Sequence, residues 1–408
     1  MTTDTADHSR ERYEMLDHAA RIVAERGLET LGIRSLAAAT GRTTGVILKK
    51  FGNKERLVSS LINHAIGLSR RFHDALAQTL SGTAITGRSL YDVLTFYIVN
   101  GGAHPCEHVL GEVLTKKHLF VPDAAQLTDW RATRYAFWRS VLPPEVPGTL
   151  ADFLAIYTTA EQLFAAGLRS DPRYHVLLGE TLDGLLGLNP NITEPPMMSQ
   201  LSALFLARDH SARKEAEKVA RLLAKAVAAI RHSGLASLNL RGFAKQAGVA
   251  PSLINYHFGS FAAFLDRAVW RAMAQDLPGW LDSGSKPHQD ANWLDLLEHS
   301  YRAGPDGGAG GFYIDYMRNL GQLSLLSIQQ PDYRPLLLEL RAIEGLGNYN
   351  ASRTQWPARF SLSRGQAAAF AIWLKGRALT DAALGIEPGS EQTRILAALG
   401  CLKHTSQS

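Results

Sequence analysis

Apolar side chains recur along this chain at helical spacing. Leu16, Ala19, Ala20 and Val23 fall at i, i+3, i+4 and i+7, the stripe of an amphipathic helix, and Gly27 is expected to end it in the left-handed cap conformation. Leu223, Ala226, Val227 and Ile230, followed by Gly234, repeat the stripe. After the first stripe the pattern predicts a short helix from about Arg34 to Thr40, a turn at Gly41 and a second short helix from about Thr44 to Lys50. A longer helix then begins near Lys54 and runs through Leu57, Leu61, Ile62 and Leu68. Two short helices joined by a glycine turn make a helix-turn-helix. Residues 88–187 and 291–400 keep helical periodicity, and no segment reads as a strand, so the expected class is all-α.

The similarity between the two stripes extends to a full repeat. Residues 16–65 lie on residues 223–272 at one constant offset of 207 without a gap. Ala19, Gly27, Leu28 and Arg34 meet Ala226, Gly234, Leu235 and Arg241; Ala37, Gly41, Ile47, Phe51 and Gly52 meet Ala244, Gly248, Ile254, Phe258 and Gly259. Leu31/Leu238, Ile33/Leu240 and Leu57/Phe264 keep apolar character where identity is lost. Between the copies, residues 189–196 form a proline-rich extended connector, with an extra helix expected from about Met198 to Arg208. Such a linker would reach on the order of 40 Å.

Composition narrows the class further. With 408 residues, 46% hydrophobic and 20% charged, the chain is long enough for two or more globular units. No apolar run approaches a membrane span and the polar start lacks a secretory core, so no membrane partner is expected and a cytoplasmic location is. Cys106 and Cys401 fit neither a disulfide framework nor a zinc spacing. A net charge of +5 permits a polyanionic partner, and its distribution is uneven. Gly32–Ser60 carries six Lys/Arg against one Glu, whereas Asn239–Arg267 carries three against one Asp.

The segments from Gly41 to Glu55 and from Gly248 to Ser260 resemble the turn, recognition helix and following helix of TetR-family regulators. The resemblance covers about 50 residues twice. It implies two halves, each a three-helix DNA reader followed by a helical ligand and dimerisation domain, fused as a pseudo-dimer. The division expected is a first reader at 9–66, a helical regulatory domain at 67–188, a linker at 189–210, a second reader at 211–275 and a second regulatory domain at 276–408. A recognition helix places three or four side chains on base edges while basic groups and helix N-termini hold phosphates. The residues placed for this are Arg34, Arg42, Thr43, Thr44, Lys49, Lys50 and Lys54 in the first copy, and Arg241, Ala250, Pro251, Ser252, Asn255, Tyr256 and His257 in the second. Two departures stand out. The family's recognition-helix tyrosine is Leu48 and Asn255 here, and the lysine opening the next helix is kept as Lys54 but becomes Phe261.

The implied function is a ligand-responsive transcription regulator, expected to be a repressor, that binds a double-stranded DNA operator through two unequal readers. The asymmetry points to an asymmetric operator, or to a second reader that no longer binds DNA. Association with the nucleoid is expected when DNA is bound. The input would be a small apolar or aromatic effector in an interhelical pocket. Candidate contacts are Phe96, Tyr97, His104, His108, Trp130, Tyr135, Trp138 and Phe164 in the first half. Phe312, Tyr313, Tyr316, Met317, Trp356 and Trp373 are their counterparts in the second. Aromatic residues at helical spacing most often serve packing. Leu150–Leu168 and Gln366–Leu384 are candidate interface helices, and further homodimerisation is left open. The alternative is a ligand-binding or protein-interaction module that has lost specific DNA binding. An enzyme is not expected: no phosphate loop, nucleophile elbow or metal-binding helix is present, and the Gly304–Gly311 run lacks the Gly-Lys-Ser/Thr ending. No cofactor or metal is expected.

Overall fold

A computed structural model describes residues 3–101, 104–115, 124–207, 216–233, 235, 238–274, 293–302, 312–386 and 391–404. All regular secondary structure among them is helical. The Gly304–Gly311 run and Gly234 lie outside the described residues. The chain forms two compact units, residues 1–166 with 379–389, and residues 167–378 with 390–408. No helix among the described residues is long and apolar enough to cross a membrane.

The first unit begins with α1 (Thr3–Arg26), α2 (Ile33–Thr40), α3 (Thr44–Phe51) and α4 (Lys54–Leu80). It continues through α5 (Gly87–Phe96), α6 (Pro105–Thr115), α7 (Ala124–Val141) and α8 (Gly148–Leu168). Long α4 packs along both α6 and α7, and α1 packs on α2, α4 and α6. Leu57, Val58, Leu61 and Ala65 of α4 are fully excluded from solvent, as the i, i+4 stripe requires. Gly27 does not end α1 as a left-handed cap. Its φ of 84° and ψ of 157° lie in a region open almost only to glycine, and its extended ψ sends the chain directly into a 3-10 turn at Leu28–Thr30. The Leu28 N–H of that turn donates to the buried Glu112 carboxylate of α6 (3.1 Å), tying the start of the reader to the helical body.

The second unit holds α9 (Pro172–Leu186), α10 (Pro196–Ala207), α11 (Glu217–Ser233), α12 (Leu240–Ala247), α13 (Pro251–Phe258) and α14 (Phe261–Ala274). It also holds α15 (Trp293–Arg302), α16 (Phe312–Gln329), α17 (Arg334–Ala342), α18 (Leu346–Thr354), most of α19 (Arg364–Leu384) and α20 (Glu391–His404). The stretch expected to be a linker is largely built into this core. α10 buries Met198, Leu201 and Phe205, packs on α9 and α17, and donates from Ser202 Oγ to the Ala342 carbonyl (3.1 Å). Its three apolar residues at helical spacing make burial more favourable than a solvated tether. Residues 208–210, the end of the expected linker, lie outside the described residues.

Candidate functional site

The first helix-turn-helix is shaped by its glycines. Gly41 adopts φ 63° and ψ 23°, closing α2 through its own N–H to Ala38 and the Arg42 N–H to Ala37 (3.4 and 3.0 Å). Gly52, at φ 80°, closes α3 with a bond to the Leu48 carbonyl (2.7 Å), and Asn53 opens α4 by accepting from the Arg56 N–H (2.8 Å). Ile47 and Phe51 point into the core, which leaves the opposite face of α3 to solvent.

At an offset of 207 residues the second half repeats this geometry. The bounds of α12 and α13 match those of α2 and α3, and α14 starts where α4 does. Gly248 (φ 70°) closes α12 with bonds to Lys245 and, through Val249, to Ala244, and Gly259 (φ 80°) bonds the Asn255 carbonyl at 2.7 Å. Ser260 accepts from the Ala263 N–H (3.0 Å) at the position of Asn53. Ile254, Phe258, Phe243 and Phe264 are buried where Ile47, Phe51, Leu36 and Leu57 are.

On the first reader, Arg34, Arg42, Thr43, Thr44 and Lys49 are exposed. Lys50 and Lys54 are partly covered and already engaged. Lys50 pairs with Glu11 of α1, Arg42 reaches the same carboxylate (3.5 Å), and Lys54 Nζ donates to the Glu29 carbonyl (3.2 Å). The repeat does not mark Glu11, because its role depends on a contact between α1 and α3 that spacing alone cannot show. Arg12 beside it donates to Ser60 (2.9 Å) and lies over the Phe51 ring. Thr43 sits at the N-cap of α3 without making a side-chain cap bond.

The second helix-turn-helix presents different chemistry on the same frame. Arg241, Ala250, Pro251, Ser252, Asn255 and Tyr256 are exposed, Tyr256 to 82%. His257 occupies the place of Lys50, packed edge-on against Tyr256, with its buried Nε2 lacking a hydrogen-bond partner. Val249 replaces Arg42, Lys218 replaces Glu11, and Pro251 removes the N–H that Thr44 offers. The acidic restraint and both cations it holds are thus absent together.

A buried polar cluster occupies the first unit behind its reader. Arg134, 1% exposed, donates to Glu107 (3.1 Å), Gln162 (2.9 Å) and Thr158 (3.3 Å), and lies over the rings of Tyr97 and Trp130. The second Glu107 oxygen accepts from Ser69 (2.6 Å). Residues 97–101 form a π-helical turn, a local widening often associated with function, and the Tyr97 carbonyl accepts from Gln162 Nε2 (3.1 Å). His73 Nδ1 donates to the Ser69 carbonyl (2.6 Å), so Nε2 accepts from the Tyr97 hydroxyl (2.7 Å). Burial, reinforced by the Arg134 charge, pushes the His73 pKa down to about 4, and burial raises the Tyr97 phenol. The indole N–H groups of Trp130 and Trp138 and Arg134 Nε are buried without an acceptor.

The candidate effector residues therefore separate. Tyr97, Trp130 and Trp138 gather here, His108 is half-buried on α6, and Tyr135 and Phe96 face solvent at 38% and 47% exposure. His73, Glu107, Arg134 and Gln162 carried no sequence signal, since single polar residues on apolar helix faces leave the periodicity unchanged. In the second unit Tyr313, Tyr316 and Met317 of α16 are buried. Lys375 lies 4.1 Å from the Tyr316 ring centroid and pairs with Glu344 at 2.6 Å. Arg364 donates to the Glu344 and Ala342 carbonyls (2.6 Å each), and burial lowers its pKa to about 10.

Among the described residues no group of three or more His, Cys, Asp or Glu side chains is placed to hold a metal ion, and Cys106 and Cys401 are buried and not joined in a disulfide. Residues 15–61 match the family described as bacterial regulatory proteins, tetR family. The N-terminal helix-turn-helix is of that type. The chain is 33% identical over 82 residues to the HTH-type transcriptional repressor KstR2 of Rhodococcus jostii (strain RHA1). The aligned stretch covers 20% of this chain and 40% of that repressor.

Proposed function

We propose that this protein is a DNA-binding transcription regulator, acting as an effector-responsive repressor, which carries two unequal readers on one polypeptide as a covalent pseudo-dimer. The observation that carries the reading is the recurrence of the glycine turns, caps and buried apolar positions of α2–α4 in α12–α14, residue for residue at one offset. In this reading α3 and α13 enter the major groove. Lys49, Arg42 and Thr43 of the first copy and Ser252, Asn255 and Tyr256 of the second address bases and phosphates. Successive grooves on one face lie roughly 34–36 Å apart, so the separation of the readers sets affinity.

The effector site of this reading is the cluster around Arg134. α6 carries Glu107, which holds Arg134, and Glu112, which holds the Leu28 N–H at the edge of the reader. A small aromatic effector carrying a hydrogen-bond acceptor, which meets the indole N–H groups and competes for Arg134, would shift α6. The reader is then displaced through Leu28. The name of the matched repressor supports repression as the direction of control.

The test is selection of bound sites from a random duplex pool, followed by titration of the winner over a range of salt. A specific, salt-sensitive site is expected, weakened roughly tenfold or more by the Lys49→Ala/Lys50→Ala double variant and less by Asn255→Ala/Tyr256→Ala. If no sequence is enriched, or binding ignores both double variants, the regulator reading fails.

A further inference from the structure

The helices α3 and α13 share one exposure pattern and differ in what they expose. Over eight residues each runs through two exposed positions, one half-buried and one buried, twice in succession, ending at Phe51 and at Phe258. The outward face is therefore the same in both. On that face Leu48 of α3 stands where Asn255 stands in α13, at the offset of 207.

A single exposed leucine on a protein surface needs no explanation. Here its surroundings narrow the reading. Leu48 is 46% exposed, with the exposed polar side chains of Thr44 and Lys49 around it. Gly45, one turn earlier, faces open space, where a Cβ would meet only the Thr43 hydroxyl at 3.8 Å. A base edge can approach the helix closely at that turn and come to rest on the leucine.

The two side chains differ in what they can recognise. Leucine has neither donor nor acceptor, and the apolar group that a base edge offers in the major groove is the C5-methyl of thymine. The edges of guanine and cytosine present donors and acceptors, which lose their water against leucine without compensation. Asparagine carries an acceptor and a donor on one amide, the complement of the N6 amino group and N7 of adenine.

Resting on the regulator reading, we propose that Leu48 and Asn255 are matched specificity residues. Each selects an A·T pair under its own helix, Leu48 by the thymine methyl and Asn255 by the adenine edge. Because the two helices present this position alike, the base pair is turned end for end between the two sites: thymine faces Leu48 where adenine faces Asn255. One backbone frame then serves an asymmetric operator.

The test starts from the duplex that selection yields and alters the DNA, so the wild-type fold is never at risk. Each thymine in turn is replaced by deoxyuridine, which lacks only the methyl, and each adenine by 7-deazaadenine, which lacks only the N7 acceptor. Affinity of the full chain is followed by fluorescence anisotropy. One thymine is expected to cost about three- to fivefold on losing its methyl, and nothing further in Leu48→Ala. One adenine elsewhere in the duplex is expected to cost roughly fivefold or more on losing N7, and nothing further in Asn255→Ala. Leu48→Asn should exchange the first sensitivity for the second within the same stretch of DNA. A selected duplex in which either sensitivity is missing, or persists unchanged in the matching alanine variant, overturns this inference and leaves the regulator reading standing. Selection that enriches no sequence ends both.

Discussion

The two helix-turn-helix copies agree in their backbone and disagree on their surface. Gly41/Gly248 and Gly52/Gly259 hold nearly the same positive φ, and Ile47/Ile254 and Phe51/Phe258 are buried alike. Facing outward, Glu11 meets Lys218, Arg42 meets Val249, Lys50 meets His257 and Lys54 meets Phe261. Positive φ and burial fix the frame at a handful of positions, and the remaining positions are free to carry different chemistry. A shared geometry therefore does not imply a shared ligand, and each copy has to be judged by its outward face.

The largest expected difference lies inside the frames. The core of the second helix-turn-helix is more aromatic, with the Phe264 ring centroid 4.9 Å from those of Phe243 and Phe258 and 5.7 Å from that of Phe261, where the first has Leu57 and Leu36 at the positions matching Phe264 and Phe243. Phe264→Ala should cost about 3–5 kcal/mol and Leu57→Ala about 2–4 kcal/mol, read by urea unfolding of the full chain. Equal costs would show that the aromatic core adds nothing over the aliphatic one.

The buried clusters of the two units differ in the same spirit. Among the described residues, the first contains a titratable imidazole at His73, whereas the cluster around Glu344 relies on Lys375 and Arg364. Because the folded His73 pKa falls to about 4 from 6.5, the unfolded chain binds the extra proton between these values. Its contribution is complete above pH 6.5 and is lost as the pH falls toward 4, about 3 kcal/mol in all at ~1.36 kcal/mol per unit. Unfolding of wild type and His73→Gln at pH 7 and pH 4.5 checks this, the variant showing the shallower loss.

Smaller effects belong to the outward faces. Phe261→Lys restores a cation at the start of α14, and a few-fold gain in DNA affinity with a salt slope steeper by about 1 is expected. A second reader unmoved by this change is not at the phosphate backbone. Glu11→Gln should release Lys50 and Arg42 and tighten DNA binding by about two- to fivefold at low salt, with the gain fading as salt rises. Weaker binding instead would identify Glu11 as a group that positions the two cations.

The helices of both helix-turn-helix copies were legible in the sequence, because glycine turns and apolar stripes are local signals. Those expected from about Arg34 to Thr40 and Thr44 to Lys50 lie at Ile33–Thr40 and Thr44–Phe51. What escaped was every feature made by residues far apart in the chain. Glu11 reaches Lys50 across 39 positions, Glu107 reaches Arg134 across 27, and Gln162 reaches the Tyr97 carbonyl across 65. The apolar spacing marks α10 as a helix but not as part of a core, since its partner α17 lies over 120 residues further on.

The constant 207-residue offset has a consequence for inheritance. Where a binding surface is built from two copies of one gene product, every substitution is made twice and must be acceptable in both places at once. When the repeat lies within one reading frame, a base change alters one copy and spares the other. The exchange of Glu11, Arg42 and Lys50 for Lys218, Val249 and His257 is what such independence permits: one copy can hold an old solution while its twin drifts toward a new one.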